Sequence, residues 1–210
     1  QRRVGQCADG GDEEVAAARE AAFTEVRDGA VTRTFDGELG HFLELVEPGS
    51  LDRAMVGGPP FAWEPERGVF LGVLPRHGGT AENIRWVEMD ISFAFHFMNA
   101  FDRDGVISVD ACLMAVVPLF TTADGKSTGK SEPHLTRWTI DMNDPDSRAT
   151  FKRLDEFQSE FPQCDPRYTG REYRHGWYTS PDGQAMSTLI ENENFFNVVG
   201  HFDHKTGAVD

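Results

Sequence analysis

Few residues in this chain have both the type and the setting to do chemistry, and His96 is foremost among them. It lies in ISFAFHFMNAFDRDGVISVDACLM (91–114), where phenylalanines otherwise mark a buried strand. An imidazole fills an apolar core poorly, because its ring nitrogens need hydrogen-bond partners or a metal. Period-two alternation places Phe93, Phe95, Phe97 and Asn99 on one face and Ser92, Ala94, His96 and Met98 on the other. His96 is therefore expected to face away from the phenylalanines. The turn DRDG (102–105) ends in glycine and GVISVDACLM follows it, which sets His96 on one arm of a hairpin, a rigid support for a ligand. No HExxH, HxH or nearby carboxylate spacing accompanies it. Two local readings stand: a core or groove histidine satisfied by backbone carbonyls, or a metal ligand whose partners come from distant strands.

The elements that would carry such a site are short strands. Candidates are 42–48, 68–76, 83–90, 91–101, 105–117, 134–141, 171–179 and 194–203, separated by Gly-, Asp- and Pro-rich turns such as GGPP, HGG, DRDG, NDPDS and HKTG. One stretch reads as helix: DEEVAAAREAAFTEVR (12–27) is Ala-rich, with Val15, Ala18, Ala22 and Val26 at helical spacing. Many strands with no helices between them predict an all-β fold, a sandwich, barrel or propeller, and disfavour a parallel α/β sheet. The polar, Gly-rich segment 121–131 predicts an exposed loop. The HKTG turn lies so near residue 210 that its partner strand has barely begun, and the chain opens on Gln1, both of which suggest a fragment.

Composition narrows the function classes. The chain has 210 residues, 39% of them hydrophobic and 26% charged, as in ordinary globular proteins. No apolar run approaches the ~20 residues of a spanning helix. A net charge of −15, with the 20 Lys and Arg scattered, argues against a nucleic-acid partner. Cys7, Cys112 and Cys164 lie far apart without CxxC spacing. They read as buried or incidental thiols in a reducing compartment. No GxSxG, paired-carboxylate or Gly-rich phosphate motif is present.

FAFHFMNAFDRDGVISVDACLM resembles the carotenoid cleavage oxygenases, whose members carry a Phe-x-Phe-His-x-x-Asn run followed by an acidic turn and a Val-Asp-x-Cys-like strand. Three further blocks look like the same family in the same order: GGPPFAWEPERGVFLGVLPRHGG with IRWVEMD upstream, HLTRWTIDM, and SEFPQCDPRYTGREYRHGWYT downstream. The resemblance implies a seven-bladed β-propeller carrying a non-haem Fe(II) on its axis, held by four histidines from different blades. It would explain how ligands far apart in sequence converge. His96 falls on the third of those ligands, and Glu160, in SEFPQCDP, falls on a glutamate that accepts a ligand histidine's other ring proton and orients it. Taken without the resemblance, Glu160 is a surface acid before a turn. His134, His175, His201 and His204 fall on no ligand position and read as surface or structural.

The family's chains are longer, and its other ligands lie outside the matched blocks. His41 is the only histidine in the stretch AVTRTFDGELGHFLELVEPGSLDRAM, and a local deletion would be needed to make it a ligand. The expectation is therefore a partial propeller of about three blades over residues 41–210, preceded by a poorly matched segment, 1–40, with the short helix. The implied activity is Fe(II)- and O2-dependent cleavage of a carbon–carbon double bond in a carotenoid, apocarotenoid or stilbene-like substrate. The rival is a non-catalytic or truncated propeller homologue acting as a binding or structural module. The implied partners are a small apolar polyene or stilbenoid and O2, with no nucleic acid. Peripheral membrane contact is compatible with the whole protein, and an intracellular location, cytoplasm or plastid, is expected.

Overall fold

The computed structural model describes residues 30–36, 40–48, 51–59, 61–75, 83–181 and 196–210. The helix expected at 12–27 lies outside them. Among the described residues the strands form three four-stranded antiparallel sheets, each a simple meander in chain order. The first holds β1 (Ala30–Asp36), β2 (Gly40–Pro48), β3 (Val69–Pro75) and β4 (Arg85–Met89). The second holds β5 (Phe93–Arg103), β6 (Val106–Met114), β7 (His134–Asp141) and β8 (Thr150–Gln158). The third holds β9 (Glu160–Cys164), β10 (His175–Ser180), β11 (Val198–Asp203) and β12 (Ala208–Val209). Among these residues no helix is long and apolar enough to cross a membrane.

The hairpin expected around DRDG is present but tighter than a four-residue turn. β5 runs on to Arg103 and the reversal is made by Asp104 and Gly105, with φ of 55° and 79°. Positive φ at both central residues suits the two-residue turns whose twist matches that of paired strands. Asn143 steadies the turn by donating to the Asp104 carbonyl at 3.0 Å.

β1, β8, β9 and β12 were absent from the strands read in the sequence, and all four lie at the edge of a sheet. An edge strand buries less of its surface and carries charge and proline freely, so the period-two signal is weak there. β8, TFKRLDEFQ, buries only Asp155, and β9 contains Pro162.

Two apolar layers lie between the three sheets. Val69, Leu71 and Val73 of β3 and Val87 of β4 meet Ala94, Ala100, Val109 and Trp138 of the second sheet. On the second sheet's other side Met98, Phe101 and Leu135 meet Tyr173, Tyr178 and Phe202. A smaller cluster joins Phe93 to Trp63, Met114 and Val117, with Phe95 and Phe120 against it. The segment 121–131 is largely exposed, as expected.

This packing corrects the alternation expected for β5. Phe97 packs in the layer facing the first sheet, with Ala94, whereas Phe93 and Phe95 belong to the smaller cluster. The reason is two shifts in the pairing with β6, between Ala94 and Phe97 and between Phe97 and Asn99. Each leaves β5 one residue longer than its partner, and each such bulge turns the following side chains to the other face.

Candidate metal centre

His96 lies inside the first of these bulges. β5 packs against β9 across the boundary between the second and third sheets. β9 is bulged too, because its pairing with β10 shifts between Gln163 opposite Trp177 and Glu160 opposite Thr179. Phe161, within that shift, has a φ of 51°. A left-handed backbone costs a non-glycine residue about 1–2 kcal/mol, so the surrounding packing must hold it there.

The two bulges bring His96 and Glu160 together although 64 residues separate them. His96 Nδ1 lies 2.7 Å from Glu160 Oε2, and the same oxygen accepts from the Phe161 backbone N–H at 2.8 Å. A carboxylate oxygen accepts, so Nδ1 donates and the neutral ring keeps its lone pair on Nε2. The imidazole is 44% exposed on its side chain, against 6% for Glu160. Glu160 Oε1 is buried and has no hydrogen-bond partner among the described residues. A buried carboxylate with one oxygen unengaged favours positive charge nearby. An oriented imidazole with a free Nε2 beside such a carboxylate fits a divalent metal of the imidazole-preferring kind, Fe(II) among them. No group of three or more His, Cys, Asp and Glu able to hold a metal occurs among the described residues, so they supply one corner of such a centre. This also corrects the expectation that His96 faces away from phenylalanine. Its ring lies 4.7 Å from Phe161 and 6.4 Å from Phe95.

The remaining histidines have other roles. His41 lies in β2 opposite Asp36 and Leu74, and His77 lies outside the described residues. His134 bonds to the Phe157 carbonyl, and His175 bonds to His201, which in turn meets Asp210. His204 is buried in a polar network invisible to spacing rules. Arg137 makes two 2.7 Å bonds to the fully buried Asp110, and the Tyr173 hydroxyl donates to the same carboxylate. Arg137 Nη2 also donates to His204 Nδ1 at 3.1 Å. Burial, reinforced by the Asp110 charge, pushes the Tyr173 hydroxyl well above its ordinary value. A pocket of about 590 Å³ opens over this network, with Phe101, Tyr168 and Trp177 also in its walls. Cys112 is fully buried, and burial raises its thiol so far that it is inert.

His204 makes the fold acid-sensitive. Burial, with the Arg137 charge, lowers the imidazole from its usual 6.5 to about 4, against opposing pulls from Asp110 and Asp203. The unfolded chain then binds the extra proton between those two values. Stability is expected to be full above pH 6.5 and to fall as pH drops toward 4, by on the order of 3 kcal/mol. Chemical denaturation at pH 7 and pH 4.5 checks this, and the difference should shrink in His204→Gln.

Sequence reasoning missed two structural supports of the site. Asn99 is completely buried; it donates to the carbonyls of Tyr168 and Arg171 and accepts from the Gly170 N–H. It thus ties the segment after β9 to the strand that carries His96, and an asparagine in a phenylalanine-rich strand was the available signal. Phe161 gave none, since nothing in SEFPQCDP announces a bulge.

Comparison with known proteins matches residues 41–210 to the family model described as RPE65, retinal pigment epithelial membrane protein. The chain is 34% identical over 174 residues to lignostilbene-alpha,beta-dioxygenase isozyme III of Sphingomonas paucimobilis, covering 76% of this chain and 34% of that protein. It is 30% identical over 184 residues to isoeugenol monooxygenase of Pseudomonas putida, covering 85% and 37%. Among solved structures, Pseudomonas brassicacearum lignostilbene dioxygenase superposes with a TM-score of 0.75 at 31% identity, over 84% of this chain and 38% of that one. The chain thus spans little more than a third of the length of the relatives it matches.

Proposed function

The chain belongs to the RPE65 and carotenoid oxygenase family, and from that membership we propose that the complete protein is an Fe(II)- and O2-dependent oxygenase. It would cleave the carbon–carbon double bond of a stilbene-like aryl alkene into two carbonyl products. The three meandering sheets are read as neighbouring blades of a seven-bladed propeller, and the further histidine ligands are assigned to blades beyond the described residues. Stilbenoids are preferred to carotenoids because the relatives with 30% identity or more compared above are named for aryl alkenes.

The observation that carries the proposal is the 2.7 Å pairing of His96 Nδ1 with Glu160 Oε2. It fixes the tautomer and orientation in which Nε2 is a metal donor. Bound iron would supply the binding and activation of O2. The chain's own residues hold the imidazole, keep its proton on Nδ1 and line the site with aromatic rings, so acid–base side chains have little to do. The test is to express the complete polypeptide, reconstitute it with Fe(II) and supply a hydroxystilbene under labelled O2. Retained iron and two aldehydes carrying label are expected. A complete polypeptide that neither retains iron nor forms aldehyde overturns the proposal and leaves the non-catalytic module.

A further inference from the structure

In a regular strand Glu160 and Phe161 would point to opposite faces. The β9 bulge instead brings both to the same imidazole: the carboxylate meets Nδ1, and the phenylalanine ring lies 4.7 Å from the histidine ring. Glu160 needs the bulge for its hydrogen bond from the Phe161 N–H, but that bond asks nothing of the Phe161 side chain. Glycine would supply the same N–H at φ 51° without strain. A large apolar ring nevertheless stands there, 50% exposed, braced at right angles by Phe196 at 5.7 Å. Phe95 lies 6.4 Å from the imidazole, itself packed on Phe93 at 4.6 Å. Folding accounts for neither the strain nor the exposure of Phe161, and backbone strain held in this way clusters where a ligand is bound.

We propose that Phe161 is the specificity-determining residue of the site, its exposed ring stacking on an aryl group of the substrate and so setting the alkene beside His96. This rests on the function proposed above for its substrate class. It makes a separate claim: discrimination comes from the π-face of Phe161, so the site favours planar aryl alkenes over aliphatic chains of equal bulk.

The test uses the complete protein free of iron and two unreactive ligands of similar shape, bibenzyl and 1,2-dicyclohexylethane, with binding measured by calorimetry. Wild type is expected to prefer bibenzyl. Phe161→Leu should weaken bibenzyl about 3- to 10-fold, the range that aromatic pairs span, and leave dicyclohexylethane within twofold. Phe161→Tyr should restore the preference. Phe161→Gly, which removes the ring and relieves the strain, should lose the preference while melting no lower than wild type, which guards against misfolding. Iron retention after reconstitution should be unchanged in all three variants. Equal loss of both ligands, or unchanged bibenzyl affinity in Phe161→Leu and Phe161→Gly, overturns the assignment. Because these ligands bind without metal or O2, failure of the oxygenase reading would show separately, as a wild type that holds the stilbenoid shape but retains no iron.

Discussion

Replacing His96 with alanine is expected to abolish iron retention and alkene cleavage together in the complete protein. Its imidazole is the one donor that the described residues present, held by Glu160 at 2.7 Å and left free at Nε2. A metal centre built from neutral imidazoles has no charged ligand to compensate for a lost one, so the remaining donors would not retain Fe(II) against water. The fold should survive, because the side chain is 44% exposed and contributes little burial. Glu160→Gln provides the graded comparison. It keeps an oxygen that can accept from Nδ1 but removes the charge, and altering such a supporting partner typically costs 10- to 100-fold in metal affinity or activity. Iron analysis and aldehyde yield, with a melting curve as control, check both. Full iron content in His96→Ala would end the ligand assignment.

The second large effect is expected far from that site. Asp110→Ala should destabilise the fold by about 3 kcal/mol, read from the shift of a urea midpoint at constant slope. Asp110 is fully buried and takes both forks of Arg137 and the Tyr173 hydroxyl. Removing it strands a guanidinium beside a tyrosine and a histidine that have no anion to replace it. Removing one partner of a buried pair costs about 3–5 kcal/mol, and the lower end applies because Arg137 keeps 24% side-chain exposure. Removing both charges should cost less, since most of the penalty is the unpaired ion. Asp110→Leu with Arg137→Met is therefore expected to recover part of the loss, short of wild type because Tyr173 and His204 lose hydrogen-bond partners. Equal destabilisation by the single and double variants would show that the charge pairing itself contributes nothing.

Legibility in the sequence followed burial. Strands with one or two packed faces announced themselves: β7 was placed at its observed bounds, and the FAFHFMNAF run was read as the strand it is. The four edge strands were missed because a strand with one neighbour tolerates the charges of TFKRLDEFQ and the proline of EFPQC. The candidate site was half legible. His96 stood out as a polar ring in an apolar strand, whereas Glu160 came from resemblance alone, as a carboxylate in an edge strand carries no local signal.

By itself the sequence determined a β-rich, acidic chain of the carotenoid oxygenase family, with one histidine set where a core residue was expected. Those properties are additive along the chain, being composition, short-range alternation and ordered blocks. Only the tertiary structure decided where that histidine points. Two bulges, one in β5 and one in β9, break the period-two rule and turn His96, Glu160 and Phe161 toward a common point. A bulge depends on the register between strands, a long-range property, so one extra residue in either strand overrides what alternation predicts for every side chain near it.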